Sequence, residues 1–255
     1  MPTFRASDGA GLAYEERGSR SPAMLFVHGW QGDGSLWREL IQALPADVRT
    51  LAVDLRGSGE SREAAGPYTI ERFCADLREL VESRGGGPVV VVGHSMGGTV
   101  ALRFALDAPE LTAGLVLVAP VPASGGGYSP KGEAYLRATA GDPAAAKAWL
   151  ARTLTQPDRG ITLERVCTAA SRTDPSAALQ SFDSWAHADF AEATRGIQAP
   201  VLVIAPEHDS PQVHQERVAA LLPNVRYELL PNSAHYAIVE NAQEIAALIA
   251  GFIVS

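Results

Sequence analysis

The side chain best placed to do chemistry in this 255-residue chain is Ser95, within the segment GHSMG at positions 93–97. The segment follows four valines, residues 89–92, a run typical of a strand buried on both faces. It precedes residues 99–107, whose apolar spacing predicts a helix. A serine on a sharp strand-to-helix turn exposes its hydroxyl, and the flanking glycines let neighbouring backbone approach. The pattern predicts a nucleophile and leaves open an ordinary turn with a serine N-cap.

A serine hydroxyl is a weak nucleophile, so Ser95 needs a histidine base and an acid that orients this histidine. Asp209 and His235 each come just after a predicted strand. The carboxyl ends of parallel strands meet at one edge of a sheet, so both residues are expected near Ser95. We predict that His235 is the general base and Asp209 the orienting acid. Glu207 is the alternative acid.

Strands and helices alternate along most of the chain, which indicates an α/β fold with a mostly parallel, doubly wound sheet flanked by helices. Residues 3–18 place turn residues between two strand-like segments and predict a hairpin. The alternation stops at residues 121–196, which predict a helical cap inserted into a core of residues 1–120 and 197–255. The other predicted elements are strands at 23–27, 50–55, 114–120, 201–204 and 225–230, and helices at 36–44, from the candidate N-cap Thr69 to the glycines at 85–87, at about Gln212 to Leu222, and from Asn241, which pairs with Glu244 as a cap.

Five segments of the chain resemble enzymes of the α/β-hydrolase fold, in particular the small serine esterases and the cofactor-free haloperoxidases or perhydrolases. They are residues 28–30 (HGW), the loop at 54–61, the elbow at 93–98, the acid loop at 205–209 and residues 233–235 (SAH). The resemblance implies a catalytic triad of Ser95, Asp209 and His235. The chain departs from the usual family pattern by carrying Pro206 and Ala234 where glycine is common.

An oxyanion hole of two backbone N–H groups is expected beside the elbow. One is that of Met96, which follows the nucleophile, and the other is that of Trp30. The side chain of Trp30 then helps to shape the substrate pocket. From the insert, Trp149 and Trp185 are candidate substrate contacts, with packing inside the cap as the alternative role.

Five other histidines are alternatives to His235 as the general base. His28 and His94 flank the oxyanion loop and the elbow and are expected to be structural. His214 falls on a predicted surface helix. His187, in the insert, and His208, beside the acid, are candidate substrate contacts, and His187 is included in the predicted site.

Composition limits the partners of this chain. Its formal net charge is −8 without a basic block, which argues against nucleic acid or an anionic membrane as a partner. No apolar stretch has the length of a signal peptide or a membrane span, so a cytoplasmic protein acting on a small-molecule substrate is expected. Cys74 and Cys167 are expected to be free thiols. No phosphate-binding loop or metal-spaced cluster is evident, so no cofactor or metal is expected, and the sequence does not indicate an oligomeric state.

These features together predict a serine hydrolase that cleaves a carboxylic ester or lactone through an acyl-enzyme on Ser95. A C–C bond hydrolase of the diketone or ring-fission type, or a perhydrolase, would use the same triad. A non-catalytic ligand receptor is a further alternative, and the complete triad argues against it. Ser95 stands where haloalkane dehalogenases and epoxide hydrolases of this fold carry Asp, which argues against those chemistries. The apolar insert favours a small to medium hydrophobic acyl group.

Overall fold

An eight-stranded sheet forms the centre of the computed structural model, which describes residues 1–155, 161–209 and 213–254. The strand order is β1-β2-β4-β3-β5-β6-β7-β8. In chain order the strands are β1 (Thr3–Arg5), β2 (Gly11–Arg17), β3 (Arg20–Val27), β4 (Val48–Val53), β5 (Val89–His94), β6 (Thr112–Val118), β7 (Val201–Pro206) and β8 (Val225–Leu230).

Six neighbouring strands run parallel to one another: β4, β3, β5, β6, β7 and β8. β2 pairs antiparallel with both β1 and β4. The central strand β5 is buried along its whole length, which is why it consists of valines rather than of alternating polar and apolar residues. The predicted α/β fold with a mostly parallel sheet is confirmed. β4 begins and ends two residues earlier than predicted, and Asp54, just after its end, still donates its backbone N–H to the carbonyl of Ala13 in β2.

Helices cover both faces of this sheet. One apolar cluster packs α2 and α3 on one face, and a second packs α1 and α10 on the other. In chain order the helices are α1 (Arg38–Ala43), α2 (Ile70–Ser83), α3 (Met96–Asp107), α4 (Pro130–Arg137), α5 (Pro143–Leu150), α6 (Ile161–Ser171), α7 (Pro175–Ala186), α8 (Val213–Leu221), α9 (Ala237–Glu240) and α10 (Ala242–Val254).

Two predicted helix starts can be compared with these bounds. Thr69 caps α2 as predicted, since its side chain accepts a hydrogen bond from the backbone of Arg72. The predicted cap at Asn241 is wrong, because its buried Oδ1 makes no hydrogen bond within the described parts of the chain. The short helix α9 ends there and leaves Asn241 at φ −124° and ψ 37°, outside the extended region that an N-cap adopts. The predicted start of α8 at Gln212 lies outside the described residues.

Residues 121–196 carry α4 to α7 between β6 and β7. Hydrogen bonds join these helices to the rest of the chain. The indole Nε1 of Trp30 donates to the carbonyl of Ala178 at 2.8 Å, and the backbone of Ile70 donates to the hydroxyl of Ser184 at 2.9 Å. Of the helices that the structure describes, none is both long and apolar enough to cross a membrane.

The loops around the sheet edge are held together by Asp54 and Arg56. The carboxylate of Asp54 accepts hydrogen bonds from the backbone of Gly34 at 2.7 Å and of Glu60 at 2.8 Å. The guanidinium of Arg56 is buried and donates two hydrogen bonds to Asp76, each of 2.7 Å. These polar side chains therefore have structural partners and lie outside the catalytic constellation.

Candidate active site

Ser95 occupies a strained turn between β5 and α3. Its φ is 54° and its ψ is −120°, a conformation that L-residues rarely adopt and that concentrates at functional sites. The turn depends on two glycines. A Cβ atom on Gly93 would lie 2.3 Å from the carbonyl oxygen of Gly97, and one on Gly97 would lie 2.2 Å from that of Val27. The glycine spacing in the sequence therefore has a direct steric cause.

His235 and Asp209 form a hydrogen-bonded pair. The Nδ1 atom of His235 lies 3.1 Å from each carboxylate oxygen of Asp209. Burial opposes ionisation of Asp209, but the interactions with His235 outweigh it and lower the pKa of the carboxyl. Burial likewise favours neutral His235, yet the charge and hydrogen bond of Asp209 raise the pKa of the imidazole. The pair is arranged so that His235 can take up a proton.

The alternative acid, Glu207, does not take this position. Its Oε2 accepts a hydrogen bond from the backbone of Asn232 at 2.8 Å, and its side chain is exposed. The two loops that carry the pair are also joined directly, because the backbone of His208 donates to the carbonyl of Ser233 at 2.8 Å. Of the two carboxylates in the acid loop, the structure thus brings Asp209 to the histidine.

His94 connects this pair to the turn that carries Ser95. Its Nε2 donates to the backbone carbonyl of His235 at 2.8 Å, and the two rings pack with their centroids 4.9 Å apart. Ser95, Asp209 and His235 line one cavity. The three residues predicted from the sequence as a triad therefore meet at one place in the fold.

The loop after β3 lies directly against the elbow. A Cβ atom on Gly29 would be 3.1 Å from the Cβ of Ser95, so only glycine allows this approach. The loop is fixed by His28, whose Nδ1 donates to the carbonyl of Gly29 at 2.9 Å while its Nε2 accepts from Leu55 at 3.0 Å. Trp30 follows immediately, and Met96 begins α3, where backbone N–H groups lack a partner within the helix. Both predicted oxyanion donors thus belong to segments that adjoin Ser95.

Aromatic side chains form much of the cavity wall, and the cavity volume is about 140 Å³. The ring of Trp30 packs against those of Trp149 and Trp185, with centroids 5.4 Å and 5.9 Å apart, and all three residues line the cavity. The lining residues are Gly29, Trp30, His94, Ser95, Ala119, Pro120, Val121, Tyr128, Leu136, Trp149, Thr153, Trp185, Asp209, His214, Gln215, His235 and Tyr236.

Some predicted contacts are not brought to this cavity. His187 is exposed at the end of α7, where its Nε2 lies 3.1 Å from Glu133 and its Nδ1 lies 3.1 Å from the carbonyl of Asp183. The structure therefore does not bring His187 to this cavity, and its contact with substrate stays a prediction. His208 is likewise exposed. The side chain of Met96 is buried in the apolar core, so only its backbone remains available for the site.

The lining residues that were missed or misplaced from the sequence include Tyr128, His214 and Gln215. His214 was predicted on a surface helix, but it lines the cavity, and burial and the charge of Arg217 lower its pKa. A signal was present, because His214 lies four residues before Val218 and shares its helix face, and Val218 is buried. Burial and the charge of Asp209 raise the pKa of Tyr128 to about 12. Its hydroxyl therefore stays protonated at ordinary pH.

Among the described residues, no group of three or more His, Cys, Asp or Glu side chains has an arrangement that could hold a metal ion. The polar groups of the cavity instead form hydrogen bonds with one another, as the Nε2 of Gln215 does with the Oδ2 of Asp209 at 2.8 Å.

Comparison with known proteins defines the family. Residues 24–248 match the alpha/beta hydrolase family, and this segment is most of the chain. The protein belongs to the α/β-hydrolase family. Its sheet order and the position of the elbow after β5 agree with this assignment.

Individual relatives include esterases, a lipase and a lactonase. Lipase LipV of Mycobacterium tuberculosis is 41% identical over 116 residues, which are 45% of this chain and 44% of LipV. The chain spans less than half the length of the first curated relatives that it matches. The enol-lactonase of Burkholderia xenovorans LB400 has a TM-score of 0.89, is 25% identical and is covered over 100% of both chains. A thermophilic esterase from Thermogutta terrifontis has a TM-score of 0.86 and 25% identity, over 99% of this chain and 97% of that one.

Proposed function

We propose that this protein is a serine hydrolase that cleaves a small carboxylic ester or lactone through an acyl-enzyme on Ser95. The observation that carries the proposal is the His235–Asp209 pair, with 3.1 Å hydrogen bonds, on the same cavity as a serine in a strained turn. A histidine oriented by a buried carboxylate is the base that a serine nucleophile requires. The esterase and lactonase among the structural relatives support the same reaction class.

Acylation would begin as the Oγ of Ser95 attacks the substrate carbonyl and the Nε2 of His235 takes the hydroxyl proton. Asp209 accepts the Nδ1–H hydrogen bond and stabilises the imidazolium that forms. The oxyanion would rest on the backbone N–H groups of Trp30 and Met96, where the N-terminus of α3 also favours negative charge. Collapse of the tetrahedral intermediate breaks the ester bond, and His235 returns its proton to the leaving alcohol.

Deacylation would follow the same path with water in place of serine. His235 removes a proton from the water molecule, the resulting oxygen nucleophile attacks the acyl carbonyl, and Ser95 leaves with the proton. The products are a carboxylic acid and the regenerated enzyme. For a lactone, the acid and the alcohol belong to one molecule, so a single hydroxy acid would be released.

Cavity size favours a small acyl group. A volume of about 140 Å³ resembles the roughly 150 Å³ of an engineered apolar cavity that admits benzene. The wall of Trp30, Trp149 and Trp185 is apolar and suits a short hydrocarbon chain. We propose that residues 121–196 act as the cap that sets this limit, over a core of residues 1–120 and 197–255. Turnover of p-nitrophenyl acetate and butyrate should exceed that of the decanoate.

The decisive experiment is Ser95→Ala with p-nitrophenyl butyrate as substrate. Hydrolysis should fall to the background rate, whereas Ser176→Ala, at an exposed serine in the cap, should leave it unchanged. A fluorophosphonate probe should label the wild type and not Ser95→Ala, which separates a catalytic serine from a ligand receptor. Unchanged turnover in Ser95→Ala would refute the proposal.

A further inference from the structure

We propose that Gln215 is a positioning residue of this active site, whose side-chain amide holds the carboxylate of Asp209 in the orientation that His235 requires. The inference rests on the proposed function, since it assigns a role within that same triad. Gln215 lines the cavity, and the proposed role is exerted through its hydrogen bond to Asp209.

The contact itself is short and buried. Gln215 lies on α8 with an exposed fraction of 2%, and its Nε2 donates to the Oδ2 of Asp209 at 2.8 Å. The same oxygen lies 3.1 Å from the Nδ1 of His235. Asp209 therefore receives one donor from the base and a second from a helix on its other side. Two donors at fixed positions restrict rotation of the carboxylate about its Cβ–Cγ bond.

The orientation of the amide is set by this contact. If the amide were turned over, its Oε1 would face a carboxylate oxygen, and two acceptors would repel each other. In the observed orientation Oε1 is buried and has no hydrogen-bond partner in the described parts of the chain. A buried acceptor without a donor lowers stability, so a side chain that served only to pack α8 would be better apolar. The lone Oε1 is the expected consequence of directing Nε2 at Asp209.

The neutral amide donor of Gln215 also affects the charge of Asp209 and the basicity of His235. It stabilises the buried negative charge of Asp209 without adding a proton or a competing charge. A carboxylate that shares its electron density with a second donor attracts the proton of His235 less strongly. Removing the amide should therefore make the imidazole more basic and, because the carboxylate can then rotate, less well aligned.

Gln215→Met tests both consequences, because methionine keeps the length and apolar shape of the side chain and removes the donor. We expect kcat/KM for p-nitrophenyl butyrate to fall about ten- to a hundredfold, as for loss of a hydrogen bond to a charged group. The acid limb of the pH profile should move to higher pH. Glu216→Met is the matched control, since Glu216 is exposed on the same helix. It should change neither quantity.

Gln215→Glu provides a second, nearly isosteric variant. When the introduced carboxyl group is protonated it can donate to Asp209, and when it is ionised it repels Asp209. We therefore expect kcat/KM of this variant to fall as the pH rises, across a range in which the wild type is flat. A role confined to packing would leave the shape of the profile unchanged.

A spectroscopic readout separates this inference from the proposed function. The Nδ1 proton of His235, shared with Asp209, should give a low-field proton resonance whose chemical shift changes in Gln215→Met, with no substrate present. An unchanged resonance together with wild-type kinetics would overturn the positioning role. Should Ser95→Ala and Asp209→Asn both retain full hydrolysis, the proposed function fails, while the resonance still tests the contact. If thermal melting shows that Gln215→Met does not fold, the profile of Gln215→Glu decides.

Discussion

The Nε2–H of His94 donates to the backbone carbonyl of His235, so the turn that carries the nucleophile is tied directly to the loop that carries the base. The other ring nitrogen of His94, Nδ1, is buried without a partner in the described chain. Burial and the positive charge of protonated His235 lower the pKa of His94 to about 3, against the raising effects of its hydrogen bond to His235 and of the Asp209 charge. His94 therefore stays neutral at ordinary pH, and its hydrogen bond joins the turn that carries Ser95 to the loop that carries His235.

Replacing His94 by phenylalanine should impair catalysis more than binding. His94→Phe keeps a ring of similar size beside His235 but removes the donor, so the loop of the base loses one anchor. We expect kcat to fall about tenfold with little change in KM, which corresponds to the net free energy of one hydrogen bond. Steady-state kinetics with p-nitrophenyl butyrate measure both constants. His187→Phe, at an exposed histidine, should behave like the wild type. Equal effects of the two substitutions would contradict the role of His94 in holding the loop of His235.

Acid should destabilise the fold through the protonation of His94. In the unfolded chain His94 takes up a proton near its ordinary pKa of 6.5, whereas the folded protein resists protonation until about 3. Stability is therefore lost as the pH falls below 6.5, by about 2–3 kcal/mol at pH 4.5. His235 works in the opposite direction, because its pKa is raised in the folded state. Urea unfolding across this range should show a shallower loss in His94→Phe than in the wild type. A steeper loss in the variant would contradict the assignment.

The pH dependence of hydrolysis should follow His235, which is active as the neutral imidazole. Because the interactions with Asp209 raise its pKa above 6.5, kcat/KM should fall as the pH drops through a midpoint above that value. Asp209→Asn removes the raising interaction and the orienting acceptor. It should shift the midpoint downward and reduce the rate by up to about 10⁴-fold. A midpoint that Asp209→Asn leaves in place would contradict a coupled pair.

The hydroxyl of Tyr128 should favour substrates that carry an ether oxygen in the acyl chain. It lines the cavity, and with a pKa of about 12 it is a hydrogen-bond donor in any ordinary assay. We expect Tyr128→Phe to lower kcat/KM for p-nitrophenyl methoxyacetate about five- to tenfold and to leave the nearly isosteric butyrate unchanged. Tyr135→Phe, at an exposed tyrosine on α4, is the control. Parallel losses on both esters would show that the hydroxyl does not contact the acyl chain.

The meeting of Ser95, Asp209 and His235 could be predicted because each follows a strand of a parallel sheet. Such strands end at one edge, so local sequence patterns and one topological rule were sufficient to place all three. The predicted strands and the hairpin were confirmed because buried apolar runs and turn residues are local signals. Exact strand ends depend on pairing with neighbouring strands, and the local pattern does not fix that pairing.

The cap contacts could not be predicted in this way. Trp185 lines the cavity, whereas His187, which follows the last residue of α7, lies beside Glu133 and away from the cavity. Which of these side chains faces the site depends on how α7 docks, and periodicity does not fix docking. Gln215 was missed because its contact with Asp209, six residues earlier in the chain, depends on the rotation of α8.

The buried pair of Arg56 and Asp76 should contribute strongly to stability and little to catalysis. Hydrogen bonds that Arg56 donates to Asp76 raise the pKa of Arg56 against the effect of burial, and the Arg56 side chain has an exposed fraction of 0%. Among the described residues, Asp76→Ala leaves this guanidinium with the partly exposed Asp8 as its charged partner, 3.0 Å away, and it also removes a partner of Arg72. We expect the free energy of unfolding to fall by about 3–5 kcal/mol, as for other broken buried pairs.

Urea unfolding measures this loss, and an exposed pair supplies the control. The side chains of Arg78 and Glu82 are 45% and 49% exposed, and their ion pair is 2.9 Å long. Glu82→Ala should therefore cost less than about 1 kcal/mol, since water already screens these charges. For both variants, kcat/KM per folded molecule should match the wild type, because neither pair lines the cavity within the described chain. Similar losses of stability in the two variants would mean that burial does not strengthen the Arg56–Asp76 contact. A large fall in kcat/KM for Asp76→Ala would contradict the prediction that this pair contributes little to catalysis.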